Sequence, residues 1–134
     1  MGAAVTIKRH LQWMDTDAAG IWHHSTAIRL TEDAETTLHR LCGTVEETIG
    51  RLPRVHVEFD YSGRVAFDQQ ISITLSVAAV GRTSIEYHIV LNVGEREVGR
   101  GKLIGVLVDE NAAARPWPGW MRERLLEDQH YEGD

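Results

Sequence analysis

The order of periodicities along the chain predicts an α+β domain: one strand, one long helix, then four strands joined by tight turns. Three observations carry this. Apolar residues recur at helical spacing between about Ser25 and Cys42. They recur at period two through most of the second half. The length of 134 residues suits one domain over residues 1–134 with one core.

Taking the elements in order, residues near Val5 to Trp13 can form a first strand. Asp15-Thr16-Asp17-Ala18-Ala19-Gly20 follows, rich in residues that bond locally or tolerate unusual dihedrals. Ser25 or Thr26 can then cap a helix. Ala27, Thr31, Ala34, Leu38 and Leu41 recur at spacings of four and three and share one face, with Arg29, Glu32, Asp33 and Arg40 off it. Gly43 stops the helix, and a shorter helical piece covers Val45 to Ile49. Val55, Val57, Phe59 and Tyr61 alternate with polar residues, as do the runs 71–77 and 85–91, so each reads as a strand with one buried face. Gly81-Arg82 and Gly94-Glu95 read as hairpin turns. Leu103 to Val108, more continuously apolar, reads as a central strand. Pro116-Trp117-Pro118-Gly119 breaks the sheet, Trp120 to Leu126 makes a last helix, and Glu127 to Asp134 is expected to fray. One helix cannot cover both faces of a five-stranded sheet. The other face, or an edge, needs water-tolerant side chains or a second subunit, which predicts a homodimer or homotetramer.

Composition narrows the function. Apolar residues make up 43% and charged residues 25%, as in an ordinary globular domain. A net charge of −6 argues against nucleic-acid binding, which needs a basic face. No apolar run is long enough to span a bilayer, and Met1 to Lys8 reads as the approach to a strand rather than a signal peptide, so a cytoplasmic location is expected without membrane insertion. The single cysteine, Cys42, is expected to be inert packing on the helix.

The segment Asp15 to His24 concentrates the chemistry: two carboxylates, a glycine and two histidines just before a helix. A helix start offers unpaired N–H groups and partial positive charge, which can hold the oxyanion formed when a thioester carbonyl is attacked. A nearby carboxylate can act as nucleophile or as general base for water. On spacing alone, Asp15 and Asp17 also read as plain turn formers or caps. His23 and His24 are adjacent and would point apart in regular structure. No metal-ligand spacing is present, so no metal is expected.

The run Trp13-Met14-Asp15-Thr16-Asp17-Ala18-Ala19-Gly20-Ile21-Trp22-His23-His24, followed by a helix carrying Arg29, Glu32 and Ala34, resembles the active-site signature of the 4-hydroxybenzoyl-CoA thioesterase-like hot-dog family, and within it the Tol–Pal-associated acyl-CoA thioesterases. The similarity runs along nearly the whole chain, including Tyr61 to Asp68 before the third strand and the proline-then-helix ending. It implies a five-stranded antiparallel sheet wrapped on one long central helix, and hydrolysis of an acyl-CoA or acyl-carrier-protein thioester. By the same resemblance Asp17 is the catalytic carboxylate, position 24 supplies the N–H that polarises the carbonyl, and the His24 side chain joins proton transfer. Asp15 is a structural acceptor. The substrate-binding candidates are Gly20, Trp22, His23, Thr26, Arg64 and Arg82. Gly20 allows the turn, Trp22 lines an acyl pocket, and Arg64 and Arg82 meet CoA phosphates or are ordinary solvated arginines. Trp13, Tyr61 and Phe67 line a pocket or belong to core or interface. No cofactor is implied beyond the CoA or phosphopantetheine of the substrate. Relatives carry Asn and Tyr where this chain has Thr26 and Ala27, which reshapes the acyl pocket and leaves open a non-hydrolytic acyl- or polyketide-binding protein. A dehydratase reading lacks its D-x-N-P-x-H-like motif.

Overall fold

A computed structural model describes residues 2–133. The first strand, β1 (Ala4–His10), is shorter than its sequence pattern suggested, because Trp13–Asp15 turns into a 3₁₀ coil. Then come α1 (His24–Cys42), the single turn α2 (Val45–Thr48), β2 (Arg54–Tyr61), β3 (Gln70–Val80), β4 (Ser84–Val93), β5 (Arg96–Val106), α3 (Gly119–Leu126) and β6 (His130–Gly133).

The strands form one sheet in the order β2-β5-β4-β3-β1-β6. It therefore has six strands rather than five, and it is mixed rather than antiparallel. The segment expected to fray instead runs parallel to β1, with Ala4 opposite His130 and Ile7 opposite Gly133. Its backbone polar groups find partners on an open edge, and Thr6 Oγ1 lies 3.2 Å from His130 Nε2. Asp134 lies outside the described residues. The Leu103 run belongs to β5, one strand in from the β2 edge.

The helix α1 is amphipathic as its spacing dictates. Ala27, Thr31, Ala34 and Leu38 are buried, together with Leu30 and Cys42, while Leu41 sits at the rim. Burying a side chain such as Leu38 contributes about 2 kcal/mol. The helix rests on β1 and β3, and α3 also packs on β3. Ile71, Ile73, Leu75, Ile85, Tyr87, Ile89 and Leu91 rise to meet them from the sheet. The opposite sheet face is polar, with Thr6 facing Thr74, Ser76 facing His88 and Glu58 facing Lys102 across the strands. That face tolerates water without a second subunit.

Of the expected buried face of β2, Phe59 packs against the core, and the rest stays largely open in the single chain. Val55, Val57 and Tyr61 are 62%, 41% and 44% exposed, because α1 sits over the other half of the sheet. Cys42 is buried as expected, and burial pushes its thiol up to about 11, which keeps it protonated and unreactive.

Candidate active site

The chain leaves β1, makes the 3₁₀ turn and is pinned at Asp15. This carboxylate is buried at 3% exposure. Its Oδ2 accepts from Gln12 N–H at 2.8 Å, and its Oδ1 pairs with the Arg29 guanidinium of α1. Its backbone carbonyl accepts from His23 N–H and from the Thr26 hydroxyl, each at 2.8 Å. Asp15 is thus the structural acceptor that the resemblance implied.

Between Asp15 and the helix lies a small closed turn. Asp17 N–H donates to Ile21 carbonyl at 2.8 Å, and Gly20 N–H donates to Asp17 carbonyl at 3.0 Å. Gly20 closes the turn at φ +78°, a conformation that costs other residues a steric clash. Asp17 is exposed, and its Oδ1 accepts from Ala19 N–H at 2.8 Å. Its Oδ2 meets no protein donor among the described residues, so one oxygen is held by the turn and one faces out.

The helix begins one residue earlier than Ser25, and neither Ser25 nor Thr26 caps it. The cap is His23, whose Nδ1 accepts from Ser25 N–H at 3.2 Å and lies 2.7 Å from Ser25 Oγ. An imidazole in this role is unusual, and no sequence signal announces it. The two histidine rings do not point apart. His23 is extended and His24 helical, so the local geometry is not regular and the ring centroids lie 4.1 Å apart. The His24 N–H, at the first helical position, donates to no acceptor among the described residues. It is the unpaired donor that a helix start makes available.

Trp22 is only 6% exposed. Its N–H donates to Val65 carbonyl, and its ring stands edge-on to Tyr61 with centroids 5.5 Å apart. It belongs to the core of the single chain. Thr26 is buried through its bond to Asp15, but it borders a cleft of about 450 Å3 with Met14, Ser25, Ile28, Arg29 and Glu32. Trp13 and Phe67, stacked edge-to-face at 5.5 Å, stand exposed beyond the turn.

Two arginines separate sharply. Arg64 lies in the loop after β2, and its carbonyl accepts from the Arg96 guanidinium at 3.1 Å. Arg82 lies in the β3–β4 turn, where its carbonyl accepts from Trp117 N–H. Gln70, at the other end of β3, is beside His10, where the chain leaves β1 for the Asp15–Gly20 turn. The length of β3, at ~3.3 Å per residue, puts Arg82 roughly 30 Å from that end. One chain therefore groups Asp17, Gly20, Trp22, His23, His24, Thr26 and Arg64 at one end of the sheet and leaves Arg82 at the other. Tyr61, read only as a pocket or interface candidate, donates its hydroxyl to His24 carbonyl at 2.5 Å.

No family model and no curated protein sequence matches the chain. Solved structures do match in three dimensions. The 1,4-dihydroxy-2-naphthoyl-CoA thioesterase Slr0204 from Synechocystis superposes at a TM-score of 0.79, with 16% identity, over 93% of this chain and 97% of that one. The gentisyl-coenzyme A thioesterase BH1999 matches at 0.81 with 19% identity, over 90% and 98%. A thioesterase from Thermus thermophilus, complexed with coenzyme A and Zn, matches at 0.82 with 16% identity, over 90% of each chain. At these identities the likeness establishes architecture: the chain has the hot-dog fold shared by these thioesterases.

Proposed function

We propose that this chain is a thioester hydrolase acting on an acyl-CoA or acyl-carrier-protein substrate, in the manner of the 4-hydroxybenzoyl-CoA thioesterase-like proteins its motif resembles. The observation that carries the reading is the exposed Asp17 carboxylate, turn-held on one oxygen, seven residues before the unpaired His24 N–H. The substrates named for the structural neighbours add aryl-CoA thioesters to the candidates.

In this reading the His24 N–H and the positive end of α1 hold the oxyanion as the thioester carbonyl becomes tetrahedral. Asp17 acts in one of two ways. As a general base it takes a proton from water, whose oxygen bonds to the carbonyl carbon. The C–S bond then breaks, and the thiolate recovers the proton. As a nucleophile its carboxylate oxygen forms a mixed anhydride as the thiol leaves, and water then cleaves the anhydride. Both routes give a carboxylic acid and a free thiol. The His24 ring moves the proton. Gly20, His23 and Thr26 shape the site, Trp22 backs it, and Arg64 meets the CoA phosphates. Arg82 serves the same substrate only from a second subunit, which fits a homodimer or homotetramer. No cofactor takes part beyond the CoA or phosphopantetheine of the substrate, and the setting is cytoplasmic.

The test is Asp17→Asn assayed on aliphatic, aryl and carrier-bound thioesters. The amide oxygen can still accept from Ala19 N–H, so the fold should persist while thiol release falls by at least about a hundredfold. Full activity in that variant refutes the mechanism. A wild-type chain that gains thermal stability from these thioesters without releasing thiol is an acyl-binding protein instead.

A further inference from the structure

We propose that Tyr61 is a positioning residue for this site: its hydroxyl fixes the first turn of α1, and with it the direction of the His24 N–H. The inference rests on the thioesterase reading and extends it to a strand that carries none of the candidate catalytic groups.

Tyr61 is the last residue of β2, the edge strand, which pairs with β5 alone. The helix α1 rests instead on β1 and β3. The bond from Tyr61 Oη to His24 carbonyl, at 2.5 Å, therefore ties the open edge of the sheet directly to the helix start. The tyrosine ring is itself held in place. Trp22 meets it edge-on, with an interplanar angle of 82°. Opposite Tyr61 on β5 stands Gly99, where a Cβ would lie 3.5 Å from the Trp22 ring. That is ordinary van der Waals distance, so the Trp22 ring packs close over the β5 backbone at Gly99, and Trp22 in turn limits where the Tyr61 ring can stand.

The contact acts on the site through one peptide unit. His24 carbonyl and Ser25 N–H belong to the same planar amide. The Tyr61 hydroxyl donates into its oxygen, and its N–H donates to His23 Nδ1. Donation at one end of an amide strengthens donation at the other, so the phenol reinforces the histidine cap. On the other side, His23 N–H is anchored on Asp15 carbonyl at 2.8 Å. The His23–His24 peptide that carries the unpaired N–H is thus clamped between two fixed points, Asp15 before it and Tyr61 after it. Partial burial raises the phenol above its ordinary pKa, which keeps the hydroxyl a donor at neutral pH. A donor held in place before the reaction stabilises an oxyanion far better than one that must be reoriented.

The test compares wild type with Tyr61→Phe, Tyr61→Leu and Asp17→Asn. Tyr61→Phe keeps the ring against Trp22 and removes only the hydroxyl. The expected result is a fall in kcat of about tenfold with KM within twofold. Tyr61→Leu should lose kcat to the same extent and also raise KM. Amide hydrogen exchange gives a readout free of turnover: in Tyr61→Phe, exchange should accelerate at the bonded amides of Ser25 and Thr26 and nowhere in the rest of α1. If Asp17→Asn is inactive while Tyr61→Phe retains wild-type kcat and wild-type exchange at these amides, the positioning role is overturned and the thioesterase reading stands. If Asp17→Asn is fully active, the role of Asp17 falls while the chain remains a thioesterase; if wild type itself releases no thiol, the thioesterase reading falls, and exchange alone still decides whether Tyr61 orders the helix start.

Discussion

The hydroxyl of Thr26 donates to the backbone carbonyl of Asp15 across 2.8 Å, joining the 3₁₀ turn to the helix that follows it. Both residues are 3% exposed, so the bond is closed to water. Thr26→Val keeps the shape and removes the donor. The carbonyl retains its bond from His23 N–H, so the loss should be about 1 kcal/mol in urea unfolding. A variant as stable as wild type would show that the bond contributes nothing.

The cap at His23 makes a second prediction. Asn is among the best cap residues and Ala among the poorest. His23→Ala should therefore destabilise the protein by about 1 kcal/mol. His23→Asn should match or exceed wild type in chemical denaturation. Equal stability of the Ala and Asn variants would remove His23 from the cap role.

Deeper in the core, His39 links helix to sheet. Its Nε2 is 2.6 Å from the Tyr87 hydroxyl and its Nδ1 is 2.8 Å from Thr44 Oγ1. Burial lowers its pKa from 6.5 to about 4, partly opposed by the Glu35 charge. The folded pKa lies below the unfolded one, so between these values the unfolded chain binds more protons. Stability from the neutral ring is fully present above pH 6.5 and is lost as pH falls towards 4, by roughly 3 kcal/mol in all. Unfolding midpoints for wild type and His39→Gln, measured from about pH 7 to 4, should converge as the wild type loses this term. Parallel curves would mean that His39 does not titrate in that window.

The bare edge of β2 predicts self-association. Val55 and Val57 stand in water at 62% and 41% exposure on a strand with an unpaired side. Sedimentation should give a multiple of the 15.1 kDa chain mass, and Val55→Lys with Val57→Lys should shift it towards the monomer. A wild-type mass of 15.1 kDa at micromolar concentration would refute the assembly and, with it, any role for Arg82.

Much of the fold was legible because it rests on periodicity. Ala27, Ala34 and Leu38 bury on one side of α1, and the runs from Ile71 and Ile85 bury alternate residues. The same rule failed at β2, where alternation is present but nothing in one chain covers Val55 or Val57. The pattern records a burial that the single chain does not supply. β6 was illegible for the opposite reason: His-Tyr-Glu-Gly is polar, and its pairing with β1 is made by backbone. In the site, the Asp15–Gly20 turn followed from turn chemistry. The His23 cap and the Tyr61 contact did not, since one uses an atypical residue and the other spans 37 positions.

The strand β6 has a consequence for how copies of this chain can add to one another. A sheet with two receptive rims can lengthen without limit, each newcomer offering a fresh rim to the next. Here one rim is already paired from Ala4 to Ile7 with a four-residue polar segment of the same chain, a poor template for another strand. If copies join through the β2 rim, growth is expected to stop at two, since both would then present β6 outward. In such an assembly β6 would serve as a stopper for the continuous sheet, a safeguard against filaments in a β-rich protein.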